Sequence, residues 1–326
     1  MISLGIESTA HTFGCGIITN KGKVLANVKA TYTSETEGIH PSKAREHHLL
    51  VKDKVVQDAL NTANIELKDI SLIAFSQGPG LPPCLLVGMQ KAKELAKRLN
   101  APLVAVNHCI SHLEIGKLLT KAKDPVLLYT SGANTQIIAY EGGKYRIFGE
   151  TLDQGVGNFI DSFARHIGLG FPGGPKIEQL ALKQRNYIEL PYVVKGMDVS
   201  FSGLLTNLKQ KHDSGRFTKE DLAYSLQETI FAMLVEVAER AMAHCNKNEL
   251  LLGGGVACNK RLQEMCRIMC EARNAKFLAP ENQFLVDNGL MIAWQGILQR
   301  KHGTKNYDDI DIHPYERTDD IKVDWR

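Results

Sequence analysis

The chain has seven cysteines, an odd number, and no two stand in the CxxC spacing of a thiolate metal knuckle or a dithiol redox motif. No disulfide framework is expected, and a reducing, cytoplasmic compartment is. Cys266 and Cys270 fall on one helical face, where the expected role is interior packing. No signal segment is expected: MISLGIESTA has no basic leader and carries Glu7 where a signal peptide would be apolar. One uncharged run, residues 70–90, reaches membrane-spanning length. Gly78-Pro79-Gly80 and Pro82-Pro83 interrupt it, so it reads as strand, loop and helix, and no membrane is expected. Positive charge is in only slight excess. A net charge of +3 is compatible with a nucleic-acid partner without predicting one. There is no GxxxxGK[ST] and no GxGxxG following a strand, which argues against P-loop and dinucleotide-binding folds. There is no HExxH either, so peptide hydrolysis would lack the glutamate that activates a metal-bound water.

What is present is a pattern that occurs twice. With 326 residues the chain is long enough for two lobes. An apolar strand from Ile2 breaks at small polar residues, an alternating strand follows, and a hairpin turns at residues 20–23 into another strand. Residues 126–148 repeat this: a strand over 126–129, a break at Ser131-Gly132-Ala133-Asn134-Thr135, an alternating strand over 136–140 and a Gly142-Gly143 hairpin. Each half then gives a helix (around 44–63, around 222–245), a buried strand (ISLIAF, ELLLGGG), a Gly-containing loop and another helix. Each closes on a short strand, APLVAV or AKFLAP. The expected fold is α/β: two duplicated mixed-sheet lobes with flanking helices and a cleft between them, with sites at the carboxyl ends of the strands. Residues 1–125 form the first lobe and 126–294 the second, and the segment from about 295 to 326 is expected to return to the first.

His108 and His112, four apart in VNHCISHLEIG, would share one helical face, so both imidazoles could reach one ion. Asp287, in FLVDNGLMIA, holds the matching place in the second half and would supply a carboxylate. Gly132, Gly173-Gly174 and Gly253-Gly254-Gly255 are turns where a ligand can approach bare backbone, at matching places that favour a nucleotide over simple tight turns. Asp161 and Glu178, on helices near those turns, could accept ribose hydroxyls or merely face a helix N-terminus. Asn259 could bind a base or ribose, or cap its helix. Glu7 sits where related nucleotide folds hold an acid near phosphate or metal, or it is a solvated turn acid. In GIHPSKAREHHLL, His48 is expected on the helix surface, and His47 is open between surface and cleft.

Taken together, GIESTAHTFG, GIHP…EHH, SQGPGLPPCLLVG, NHCISHLEIG, YTSGANTQ, GNFIDSFAR, GFPGGPKIE, SFSGLL, LLGGGVACN and VDNGLMIAWQG resemble the universal tRNA threonylcarbamoyladenosine transferase family. That family belongs to the actin, Hsp70 and sugar-kinase superfamily. The resemblance runs from residue 2 to about 300, and TAHT with the ERTDDIKVDWR tail looks like the archaeal and eukaryotic branch.

The resemblance implies transfer of threonylcarbamoyl from threonylcarbamoyl-adenylate to N6 of adenosine 37, in tRNAs reading codons that begin with A, with release of AMP. Carried over by motif, the catalytic residues are His108, His112 and Asp287, which with Tyr129 hold one iron or zinc ion, Fe(II) favoured. Tyr129, Thr130, Ser131, Gly132, Ala133, Asp161, Gly174, Glu178 and Asn259 contact the nucleotide. Two positions depart from the family pattern. Ala133 replaces its second loop glycine, which requires negative φ and room for one methyl, and His40-Pro41-Ser42-Lys43 replaces HPRE. Implied partners are tRNA, a small kinase or ATPase subunit and further small subunits, as in the assembly called KEOPS. Phosphate contacts could come from Lys91, Lys93, Lys97 and Arg98 or from Lys117, Lys121 and Lys123, each set reading otherwise as a solvated helix face. An ATP-binding kinase or chaperone-like module of the same superfamily would use the glycine turns without the histidines.

Overall fold

The computed structural model describes residues 1–35, 38–183 and 186–326. The chain divides into two compact units. The first holds Met1–Tyr32, Ile39–Leu119 and Asp287–Arg326, and the second holds Thr33–Gly38 and Thr120–Val286.

In the first unit, β1 (Ile2–Glu7), β2 (Thr12–Thr19) and β3 (Val24–Thr31) are antiparallel neighbours, and β4 (Leu72–Gly78) and β5 (Leu103–Asn107) continue the sheet in parallel. The strand order is β3-β2-β1-β4-β5. Helix α1 (Pro41–Ala63) and α2 (Pro82–Leu99) start on prolines, whose fixed φ suits the first helical turn, and end on Asn64 and Asn100 in left-handed caps. Both pack on the sheet, whose apolar positions make one core with Phe13, Ile17, Val55, Phe75 and Leu95. Helix α3 (His108–Thr120) leaves directly from β5.

In the second unit, β6 (Val126–Thr130), β7 (Thr135–Glu141) and β8 (Lys144–Glu150) repeat the antiparallel trio. Then come α4 (Val156–His166), α5 (Gly174–Ala181), the two-residue strands β9 (Val194–Lys195) and β10 (Asp198–Val199), α6 (Ser202–Asp213) and α7 (Lys219–His244). Strand β11 (Glu249–Gly253), α8 (Lys260–Ala272), β12 (Lys276–Leu278) and the single turn α9 (Asn282–Leu285) complete it. The order β12-β11-β6-β7-β8 is that of the first sheet read from the other end. Even the irregularities agree: each second strand shifts register against the third, at Ile17/Ile18 and at Ile137/Ile138. The echo in the sequence is therefore a duplicated fold. The stretch from α4 to α6 has no counterpart in the first unit.

The chain re-enters the first unit at Asp287, and α10 (Gly289–Leu298) lies across β1, β2 and β4. Glycine makes this approach possible. A Cβ on Gly5 would stand 2.1 Å from the Ala293 nitrogen, and one on Gly16 would stand 2.1 Å from the Leu290 nitrogen. Backbone meets backbone there, with no flexible group to yield.

Candidate metal centre

The two imidazoles are delivered by the β5–α3 junction. The side-chain oxygen of Asn107 accepts the Ile110 N–H at 3.1 Å, and the Ser111 hydroxyl donates to the Asn107 carbonyl at 2.8 Å, so the helix starts abruptly at His108. Every residue from His108 to Gly116 is buried. The His108 and His112 rings lie 4.9 Å apart, centre to centre, at 82°. The carboxylate comes from the opposite end of the sequence. Asn288 caps α10 by accepting the Met291 N–H at 3.0 Å, and the glycine-permitted seat of α10 on β1 and β2 carries Asp287 with it.

One oxygen of Asp287 faces both rings, 3.4 Å from His108 Nε2 and 3.3 Å from His112 Nε2. Ligand atoms each about 2.0–2.2 Å from one tetrahedral ion lie about 3.3–3.5 Å from one another. The two edges from Asp287 thus have the lengths of a coordination polyhedron, and all three ligand atoms lie within 4.8 Å of one another. The other nitrogen of His108 is fixed: Nδ1 donates to Glu7 Oε2 at 2.9 Å. Glu7 is fully buried at the end of β1 and also accepts the Thr9 backbone N–H at 2.6 Å. A carboxylate behind a histidine sets its tautomer and aims the opposite lone pair, the usual support of a histidine ligand. The solvated-turn reading of Glu7 is therefore wrong. An acid closing an apolar strand was the signal for it.

Electrostatics follow the geometry. Burial disfavours a charged His108, but Glu7 and Asp287 outweigh it and hold its pKa well above the ordinary histidine value. Burial lowers His112, and the adjacent His108 charge lowers it further, against the pull of Asp287. Burial would raise Asp287, yet the two imidazoles, His108 foremost, keep it well below the usual carboxylate range. Two imidazoles and a carboxylate make a mixed N/O donor set of the kind that suits Fe(II) or Zn(II). The far end of α3 is anchored too: Glu114, buried, accepts from Trp325 Nε1 at 3.0 Å and pairs with Lys117 at 3.0 Å.

The other candidates lie in the second unit. Tyr129 is fully buried on β6, where it pairs in register with Gly253 of β11. The loops after these parallel strands are therefore neighbours, and they meet so closely that Gly254, at φ +90°, would place a Cβ 2.4 Å from the Thr130 carbonyl oxygen. Ser131 and Gly132 accept the Gly157 and Asn158 N–H groups at the start of α4, at 3.1 and 2.9 Å. Ala133 is not among the residues with positive φ, so its backbone meets the first condition for a side chain there. Asp161 accepts the Gly173 N–H at 2.7 Å, and a side chain on Gly174 would meet open space. Glu178 accepts the Lys260 N–H at 2.9 Å. Asn259 caps α8 through Arg261 N at 2.9 Å while its amide donates to Gln227 at 2.6 Å. The structure thus gathers Asp161 with the Gly173-Gly174 turn and Glu178 with Asn259, and gives each of these side chains a backbone to hold.

Two histidine and lysine expectations change. His48 is not on the surface: α1 turns it inward with Ala44 and Val55, and burial, followed by the charges of His47 and His11, pushes its pKa down to about 3. Lys91 is not on a solvated face, being 7% exposed and held at 2.7 Å by both Asp53 and Glu94. Cys266 and Cys270 are buried free thiols, as expected.

Two five-stranded mixed sheets of one topology, with glycine loops at the ends of parallel strands, define a duplicated actin-like protein. Among solved structures, HypF from T. kodakarensis shares that fold with a TM-score of 0.65 at 15% identity, over 94% of this chain and 48% of that one. A family model described as tRNA N6-adenosine threonylcarbamoyltransferase matches residues 23–294. A protein of that name from Thermococcus kodakarensis is 56% identical over the full length of both chains. A probable bifunctional tRNA threonylcarbamoyladenosine biosynthesis protein from Methanocaldococcus jannaschii is 50% identical over all of this chain, which spans 60% of that relative. The chain belongs to the tRNA N6-adenosine threonylcarbamoyltransferase family. No helix among its described residues is long and apolar enough to cross a membrane.

Proposed function

We propose that this enzyme moves the threonylcarbamoyl group of threonylcarbamoyl-adenylate to N6 of adenosine 37 in tRNAs reading codons that begin with A. The observation that carries the reading is the convergence of His108, His112 and Asp287, backed by Glu7, in a chain of this family. The donor is a mixed anhydride and already activated, so the site must orient and stabilise charge more than supply a nucleophile. The exocyclic amine of adenosine attacks the carbamoyl carbon, the bond from that carbon to the phosphate oxygen breaks, the amine gives up a proton and AMP leaves. Iron or zinc, held by His108, His112 and Asp287 and with Tyr129 as a further ligand, would supply Lewis-acid stabilisation of the donor's oxygens. Glu7 keeps the His108 proton on Nδ1 and leaves Nε2 for the ion. Thr130, Ser131, Gly132, Ala133, Asp161, Gly174, Glu178 and Asn259 hold the adenylate. A small kinase or ATPase subunit and other small KEOPS-type subunits complete the assembly, in the cytoplasm.

The test is transfer of labelled threonylcarbamoyl to a tRNA transcript with adenosine 37, partner subunits supplied, against a transcript with guanosine 37. Label is expected only on the first, and His112→Ala, still folded, should lose transfer by more than about 100-fold, beyond what outer-shell changes cost. Normal transfer by that variant would remove the metal centre from the reaction.

A further inference from the structure

The described residues contain a second group of two histidines and an aspartate. His166 ends α4, and His212 and Asp213 end α6, which packs against α4. His166 Nε2 lies 2.7 Å from Asp213 Oδ1, and His212 Nδ1 lies 3.2 Å from the same oxygen. The two rings stand 5.5 Å apart, centre to centre, at 77°. As in the buried trio, all three ligand atoms fall within 4.8 Å of one another.

We infer that this group is a second divalent-cation site, distinct from the catalytic centre and selective for borderline transition ions such as zinc or cobalt(II). Two features of its surroundings favour a cation. Two imidazoles and one carboxylate oxygen form a donor set for such ions and a poor one for magnesium or calcium, which want oxygen alone. Both helices finish at the site, so the negative ends of two helix dipoles point at it. The separations of 2.7 and 3.2 Å are somewhat tighter than the edges of a tetrahedral site. Asp213 is exposed and both imidazoles are partly exposed, so the side chains can open by that amount, and water can fill the remaining positions. Bound there, the ion joins the last turns of α4 and α6.

The full-length protein, stripped of metal, is titrated with Co(II) while the visible absorption of the bound ion is followed. Wild type is expected to take two ions per chain. His166→Ala and Asp213→Asn should each take one, and His108→Ala should take one and keep it at the exposed group. His166→Ala should leave threonylcarbamoyl transfer unchanged, which separates this site from the proposed reaction. If wild type and both exposed-group variants bind the same number of ions, or if His108→Ala binds none, the inference is overturned and the group is only an aspartate shared by two imidazoles.

Discussion

The two His–His–Asp groups have the same donor types and nearly the same span, yet they are built differently. In the first, the histidines are i and i+4 on one buried helix, and the aspartate arrives from a residue 175 positions further on. In the second, the histidines come from two helix ends and the aspartate is next to one of them. The first has Glu7 behind one ring and a capped, glycine-seated helix behind its carboxylate. For the second, among the described residues, the carboxylate is the hydrogen-bond partner of both rings, and all three side chains reach solvent. Ligand identity alone therefore does not separate a buried, supported group from an exposed one. Pre-organisation does, because a held ligand spends no free energy on ordering when the ion arrives.

The largest way to break the comparison is Gly16→Ala. A methyl there collides with the Leu290 backbone and must push α10, and so Asp287, off the sheet. A loss of about 3 kcal/mol in denaturant unfolding is expected. Co(II) binding should fail at the buried trio and survive at the exposed one. Next in size, Glu7→Gln keeps the shape of the backing residue and removes its charge. A loss of about 10–100-fold in metal affinity at the buried trio is expected by competition with a chelator, with no change at the exposed trio. Equal affinity in the variant would make Glu7 structural only.

The smallest effect concerns a third buried histidine. His48, depressed to about 3, is neutral in the folded chain and protonates on unfolding near the ordinary value of about 6.5. A lowered histidine pKa removes stability as pH falls below the unfolded value, with the loss complete only near the folded one. The expected cost is about 1.4 kcal/mol per pH unit below about 6.5. Between pH 6.5 and 5, urea unfolding should show His48→Leu losing about 2 kcal/mol less than wild type. Parallel losses would mean that another group carries the acid sensitivity.

Much of this is legible in the sequence, for a physical reason in each case. Strand and helix periods are local, so the doubled order of elements, the β-hairpins at residues 20–23 and 142–143 and the helices ending at Leu99 and Ala63 could be read directly. The His108/His112 pair was readable because helical spacing places i and i+4 together. Glu7 stays open between two readings in the sequence, and His48 reads as a surface residue, because burial is a property of what packs against a residue and a helix face does not state its neighbour. His166 and His212 gave no signal at all, being 46 residues apart in a segment without a repeat partner.

The sequence by itself determined the two α/β repeats, the family and the candidate donor residues, since these rest on periodicity and on short motifs. Only the tertiary structure decided which carboxylate meets which imidazole. Asp287 reaches His108 because α10 lies on bare glycine backbone, and Glu7 turns inward because β1 ends beside α3. Such contacts join residues far apart in the chain, where no local preference can specify the distance between them.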